Sequence, residues 1–287
     1  MSPAPRLARR SVWAVAKKEF MDNVRSRWIV GLSGLFLALT LVVSYFGAAQ
    51  TQGRTGFTGL GDTVAGMVSI AAILVPILGL MLGYAAIVGE REQGSLLLLL
   101  AMPVTRLEVV LGKFLGLGSV LVVAVLAGLG VSGGIIAVLA GAEGLGAYLA
   151  FVGGTIVFAL AFVGLALLLS TVAKRRSTAI GLAVLTWFLV AVIFDTVLFG
   201  LFIATGGTFD FLAGTVDFPW WVYAFQIAIP PDAFGYFALT VFGLERTFGF
   251  RVILPGFVSP GITLLSLTVW TVVPLLAAIW RFRRQDL

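Results

Sequence analysis

Two places in this chain hold side chains able to do chemistry in otherwise apolar surroundings. One is the charged stretch Glu90-Arg-Glu-Gln-Gly-Ser95, followed by a leucine run, Met102-Pro-Val-Thr-Arg106 and Leu111-Gly-Lys113-Phe114. The other is Asp195, the one acid well inside an apolar run, in Val192-Ile-Phe-Asp-Thr-Val-Leu198. His and Cys are both absent, which removes imidazole as base or ligand, thiol chemistry, and the usual zinc and haem ligands. Intramembrane metalloproteases, haem-bearing subunits and Ser-His hydrolases are thereby excluded, and neither an enzyme nor a metal site is expected. The only methionines inside an apolar run are Met67 and Met81, which helical rise would separate by about 21 Å, too far to share an ion.

Nucleotide chemistry is missing as well. Gly112-Lys113 would need Gly at position 107 and Ser or Thr at 114 to form a phosphate loop, and Leu107 and Phe114 stand there. Asp195 would cost about 2.5–3.5 kcal/mol near the centre of a membrane helix, so it should face a partner group or a wet cavity. It reads either as a translocation-path or gating residue, or as a carboxyl bonded to Thr196, a backbone carbonyl or a neighbouring helix.

These side chains are held by elements whose solvent is lipid. Of the residues, 60% are hydrophobic and 11% charged, against roughly a quarter charged in a soluble domain. Crossing a bilayer takes about 20 apolar residues. Such runs begin at Trp28 and end near Ala49, then recur at about 64–88, 107–140, 146–172, 178–205 and 260–280. The first is longer than a signal-peptide core and is expected to be retained. The fold class is therefore all-α, a polytopic membrane protein with six transmembrane helices in a single domain spanning 1–287.

An even number of crossings puts both termini on one side. With that side inside, only Arg54, Arg246 and Arg251 of the 19 basic residues lie outside, so the basic bias makes the termini cytoplasmic. The net charge of +6 thus sorts by topology and against anionic lipid headgroups, and no nucleic-acid partner is expected. Segment 11–27 reads as an interfacial amphipathic helix, with Trp13, Ala16, Phe20, Val24 and Trp28 on one face; a plain positive flank fits the same residues. Glycine pairs four apart, Gly79/Gly83, Gly112/Gly116 and Gly130/Gly134, mark close-packing faces, among them a candidate dimer seam. Pro76 and Pro274 are expected to kink the second and sixth crossings.

Between the second and third crossings, residues 89–106 read as a short apolar helix bounded by Gly94 and Pro103 and lying across the cytoplasmic face, a lever that a soluble partner could push. An ordinary loop fits equally. Outside, residues 206–259 are rich in Phe218, Trp220, Trp221, Tyr223 and other aromatics, uncomfortable in open water. They read as short re-entrant or interfacial helices broken at Pro219, Pro230-Pro231 and Pro255, or as a docking surface for an external partner.

Glu90-Arg-Glu-Gln-Gly-Ser95 with Pro103-Val-Thr-Arg106 and Gly112-Lys113 closely resembles the coupling-loop signature of type-2 (exporter-class) ABC permeases. The resemblance extends to Ala16-Lys-Lys-Glu-Phe20, Arg25-Ser-Arg-Trp28, six helices and a long outer segment before the last one. Within that family, Gly47-Ala-Ala, Gly56-Phe57-Thr58, Ala86-Ile-Val-Gly-Glu90 and Phe194-Asp195 look most like permeases implicated in maturing the copper enzyme nitrous-oxide reductase. The resemblance implies a homodimer in the cell inner membrane, two copies of a separate ATPase subunit that holds ATP and Mg, and an external or periplasmic accessory protein. It assigns Glu90, Glu92, Gly94, Pro103 and Arg106 to coupling with the ATPase. An export system for an unrelated small molecule or lipid shares this architecture, and an ion-coupled secondary transporter using Asp195 is the rival from another class.

Overall fold

A computed structural model of the chain describes residues 9–46, 56, 59–96, 102–205, 215–216, 218–243, 246–247, 250–252 and 254–285. The leucine run at 97–101, on which the lever helix was expected, lies outside the described residues, as do Gly47-Ala-Ala, Phe57-Thr58 and Arg54.

Helix α1 (Arg9–Val24) precedes six helices long and apolar enough to cross a bilayer. These are α2 (Arg27–Phe46); α3 (Leu60–Gly83), continued after a turn by α4 (Val88–Glu92); α5 (Arg106–Val125) running into α6 (Val131–Ala140); α7 (Leu145–Val172); α8 (Arg176–Phe188) running into α9 (Phe194–Ala204); and α12 (Pro260–Arg283). Between α9 and α12 stand two short helices, α10 (Trp220–Ala228) and α11 (Pro230–Phe242). Three strands of two or three residues, β1 (Thr215–Val216), β2 (Arg246–Thr247) and β3 (Phe250–Val252), depart from an all-helical chain among the described residues. Strand β3 lies between the others, parallel to β1 and antiparallel to β2. Helix starts follow local chemistry: Thr105 and Glu108 form a reciprocal capping box on α5, and Ser259 caps α12 ahead of Pro260.

The bundle is built around α7, the most enclosed crossing, while α2 and the α8–α9 rod are the least enclosed. Glycine sets the closest approaches. A Cβ on Gly79 would sit 2.7 Å from the Phe162 Cβ and one on Gly83 2.6 Å from the Ala166 Cβ, so this pair seats α3 on α7. The Gly112/Gly116 pair seats α1 on α5, because a Cβ at Gly116 would meet the Ala16 carbonyl at 2.6 Å. Of Gly130/Gly134, neither is crowded within the chain.

On α1, Val15, Ala16 and Glu19 are buried and Phe20 packs against the core, while Trp13 is 70% exposed and Trp28, which belongs to α2, is 77% exposed. Glycine on α5 removes the side chains that would hold α1 away.

Two crossings contain a π segment, Leu126–Gly130 and Leu189–Ile193. A π turn frees backbone carbonyls that lipid cannot satisfy. In the first, the Thr40 hydroxyl donates to the Gly128 carbonyl at 3.2 Å and the Tyr148 hydroxyl to the Leu129 carbonyl at 2.7 Å.

Within 206–259 the helices break where proline was expected to break them, α10 following Pro219 and α11 opening on Pro230-Pro231. Helix α11 packs into the bundle and not into water: Phe234 stacks on Phe158 at 4.6 Å, and Phe237 fills the space left by Gly154. From α12, Ser266 and Trp270 donate to the Ile227 and Ala228 carbonyls at 2.6 and 2.8 Å, satisfying the end of α10.

Candidate functional site

The segment after α3 is fixed from below by α7. The Ile87 and Val88 amides at the start of α4 both donate to the Ser170 hydroxyl, at 2.9 and 3.1 Å. After α4 the chain reverses at Gly94, whose φ of +72° is left-handed backbone that glycine adopts without strain. The Ser95 hydroxyl donates back to the Glu90 carbonyl, and Leu96 is buried. Pro103 lies in a bend two residues before the Thr105 cap.

Glu90 carries the centre of this site. Its Oε1 accepts from Lys113 Nζ at 2.9 Å and from Lys18 Nζ at 3.2 Å. Lys113 Nζ also meets Glu19 Oε1 at 2.5 Å, and its side chain is only 1% exposed. One buried cation on α5 therefore joins a carboxylate on α1 to a carboxylate on α4. Opposite charges offset the desolvation cost that either would carry alone. Burial alone would lower the Lys18 ammonium, but the Glu90 and Glu19 carboxylates outweigh it and hold Lys18 above its ordinary value. Glu90 Oε2 is buried with no hydrogen-bond partner among the described residues.

The other expected coupling residues hold different elements. Glu92 Oε1 accepts from the Arg176 amide at 3.0 Å, placing a negative charge at the N-terminus of α8. Arg106 Nη1 donates to the Phe282, Arg283 and Gln285 carbonyls at 3.2, 3.0 and 2.5 Å, closing the C-terminus of α12. Arg91 donates to the Ala173 carbonyl beyond α7. Glu90, Glu92, Gly94, Pro103 and Arg106 accordingly form no single cluster; they tie one short segment and its flank to α1, α5, α8 and α12. Sequence reasoning quoted Lys113 and Glu19 within its motifs without assigning them to the site, and it missed Ser170. The signal for Lys113 was available, since a lone cation at the start of an apolar crossing needs a partner for the same reason that Asp195 does.

Asp195, at an exposed position of α9, lies near Asp232 of α11, close enough for each carboxyl to act on the other. The Thr196 hydroxyl, one of the partners expected for it, instead donates to its own Val192 carbonyl. Asp232 Oδ2 is buried with no N–H or O–H donor serving it among the described residues. Two carboxyl groups hydrogen-bond to each other only when one carries a proton. Asp232, expected outside with the loop, is packed with α11. Of the four aromatics expected to face an external partner, Trp220 is 70% exposed and Phe218 and Trp221 are half-buried. Tyr223 is fully buried against Phe218 and Tyr236, so its ring is closed to any partner. Met67 is buried with its sulfur 3.6 Å from the Tyr148 hydroxyl oxygen, whereas Met81 is exposed.

The short segment between two crossings is bonded outward to α1, α5, α7, α8 and, through Arg106 on its flank, α12. The chain is 40% identical over 200 residues, 68% of its length and 72% of the relative's, to a probable ABC transporter permease protein NosY of Pseudomonas aeruginosa. It is 36% identical over 280 residues, 96% of its length and 98% of the relative's, to a probable ABC transporter permease protein NosY of Stutzerimonas stutzeri. Residues 13–287 match the family model described as ABC-2 family transporter protein, a range that takes in α1, the bonded segment and every crossing, and the chain belongs to that family.

Proposed function

We propose that this chain is the membrane-spanning permease subunit of an ATP-driven ABC complex that serves maturation of the copper enzyme nitrous-oxide reductase. Two copies form the membrane unit in the cell inner membrane, with both termini cytoplasmic. Two copies of a separate ATPase subunit bind ATP and Mg and press on the segment around Glu90. The exposed apolar sides of α2 and the α8–α9 rod leave surface for a second copy, and exposed Trp220 leaves surface for an external accessory protein.

The single observation that carries this reading is the bonding of α4. Glu90 holds α1 and α5 through Lys113, Glu92 holds α8, and Ser170 of α7 holds α4 itself. A push on this segment is felt by four further elements at once, as a coupling element requires.

Affinity purification of the tagged chain from native membranes, with identification of every co-purifying subunit, tests it. An ABC ATPase recovered in equal amount, with ATP hydrolysis in the assembly, is expected; a chain recovered without one overturns the reading. Deleting the gene in its host tests the narrower part: nitrous-oxide reductase should then lack copper, and a fully loaded reductase overturns the link to maturation while leaving the permease role intact.

A further inference from the structure

At the end of the bundle that carries the coupling segment, a cavity of about 320 Å³ is lined by Arg91, Val172, Lys174, Arg281, Arg284 and Gln285. Four of its six lining side chains are cationic, and they come from three separate parts of the chain: α4, the turn after α7, and the end of α12. Among the described residues no acid lines it. The ion pairs formed among the described residues belong to Lys18 and Lys113, and none of the four cations of the cavity takes part in them. Convergent cations repel one another, and an anion placed between them would relieve that repulsion.

The position of the cavity identifies the anion. Val172 is the last residue of one crossing and Arg281 to Arg284 close another, so the cavity opens at headgroup depth. Apolar side chains flank it: Val172 of the lining is 48% exposed, and Trp280, beside the lining, is 55% exposed with the Arg284 guanidinium 4.3 Å above its ring. Tryptophan at this level marks the membrane interface. Two guanidiniums are already oriented, Arg284 by that ring and Arg91 by the Ala173 carbonyl. Arginine forks match the paired oxygens of a phosphodiester. A soluble anion would have no use for the apolar flank, whereas a phospholipid would lay its acyl chains along it.

We propose that this cavity is a binding site for the phosphodiester headgroup of an anionic phospholipid, held by Arg91, Lys174, Arg281 and Arg284. The bound lipid neutralises the charge between α4 and α12 and so becomes part of the joint around the coupling segment. The proposal stands on the membrane location of these elements and not on the ATP-driven reading.

The test is titration calorimetry on the full chain in neutral detergent, using dihexanoyl phosphatidylglycerol below its micelle concentration. Saturable binding of one lipid per chain is expected, with none for dihexanoyl phosphatidylcholine. Arg281→Gln with Arg284→Gln should weaken it about 30-fold, two cations at about 1 kcal/mol each. Arg9→Gln with Arg10→Gln, which removes the same charge from exposed positions on α1, should change it by less than about twofold, since distant surface charges are screened. Absence of saturable binding to the unaltered chain, equal binding of phosphatidylcholine, or equal weakening by the two double variants overturns the site. Inorganic phosphate binding as tightly as the lipid overturns the lipid assignment.

Discussion

Two polar clusters of this protein solve one problem in opposite ways. At the basic end, Glu19 and Glu90 share Lys113 and both also meet Lys18, so two carboxylates are balanced by two cations. In the other half, Asp195 and Asp232 meet each other with no cation among the described residues acting on either, so a proton is what can hold them together. Burial, and after it the Asp195 charge, push the Asp232 carboxyl well above the usual carboxylate range. The first cluster is a joint between opposite charges. The second is a contact that pH can open. A membrane interior tolerates charge in both forms, and the choice decides which parts of the fold move together.

Removing the shared cation should break the comparison most severely. Lys113→Ala leaves two carboxylates buried and facing one another and is expected to cost about 3–5 kcal/mol. The check is thermal unfolding of the purified chain, where adding Glu19→Gln and Glu90→Gln to Lys113→Ala should recover more than half the loss. Unchanged unfolding in the single variant would show that the ion network holds nothing.

Next in size is the seat of α1. Gly116→Leu drives a side chain into the Ala16 carbonyl and Glu19 and should cost about 1–3 kcal/mol. Because the chain has no cysteine of its own, a Cys introduced at Val15 reports this directly: its labelling by a soluble maleimide should rise from near zero. Failure to rise would mean that α1 holds to α5 without the glycine pair.

The proton-held pair is expected to respond to pH with the opposite sign from an ion pair. The raised group stabilises the α9–α11 contact fully at low pH, and that stability is lost as pH rises through the raised value of Asp232. Asp232→Asn keeps a hydrogen bond to Asp195 without needing a proton, so it should remove the pH dependence and change stability at neutral pH by about 1 kcal/mol or less. Spin labels on Val197→Cys of α9, an exposed position, and Val241→Cys of α11, a half-buried one, measure the separation. A pH-independent distance in the unaltered background would place the pair outside any pH-dependent motion.

Smallest is Glu92→Gln. The amide oxygen still accepts from the Arg176 amide, so only the charge at the start of α8 is lost, about 0.5 kcal/mol and less at high salt. Unfolding measured at two salt concentrations checks it.

Much of this architecture was legible in the residues. The six crossings run close to the apolar stretches that foretold them, and α10 and α11 start at Pro219 and Pro230-Pro231. The charged segment from Glu90 to Arg106 was singled out in the sequence, yet its bonds were not: nothing local says that Glu90 reaches Lys113 or that Arg106 closes α12, nor, elsewhere, that Tyr223 turns inward. Helix α1 was placed correctly along the chain, but its seat on α5 was not foreseen, because Gly112 and Gly116 lie far from it in sequence. The π turn at Leu126–Gly130 carried only a scatter of glycines as a signal.

Length and apolarity are properties of each stretch by itself, since every crossing must span the same hydrocarbon and satisfy its own backbone. For that reason the sequence alone determined how many helices cross and where they begin. Which face of a helix meets its neighbour depends on the shape of both. The pairing of Lys113 with two acids, of Asp195 with Asp232, and of four cations around one cavity therefore exists only once the helices have crossed, and tertiary structure alone decided it.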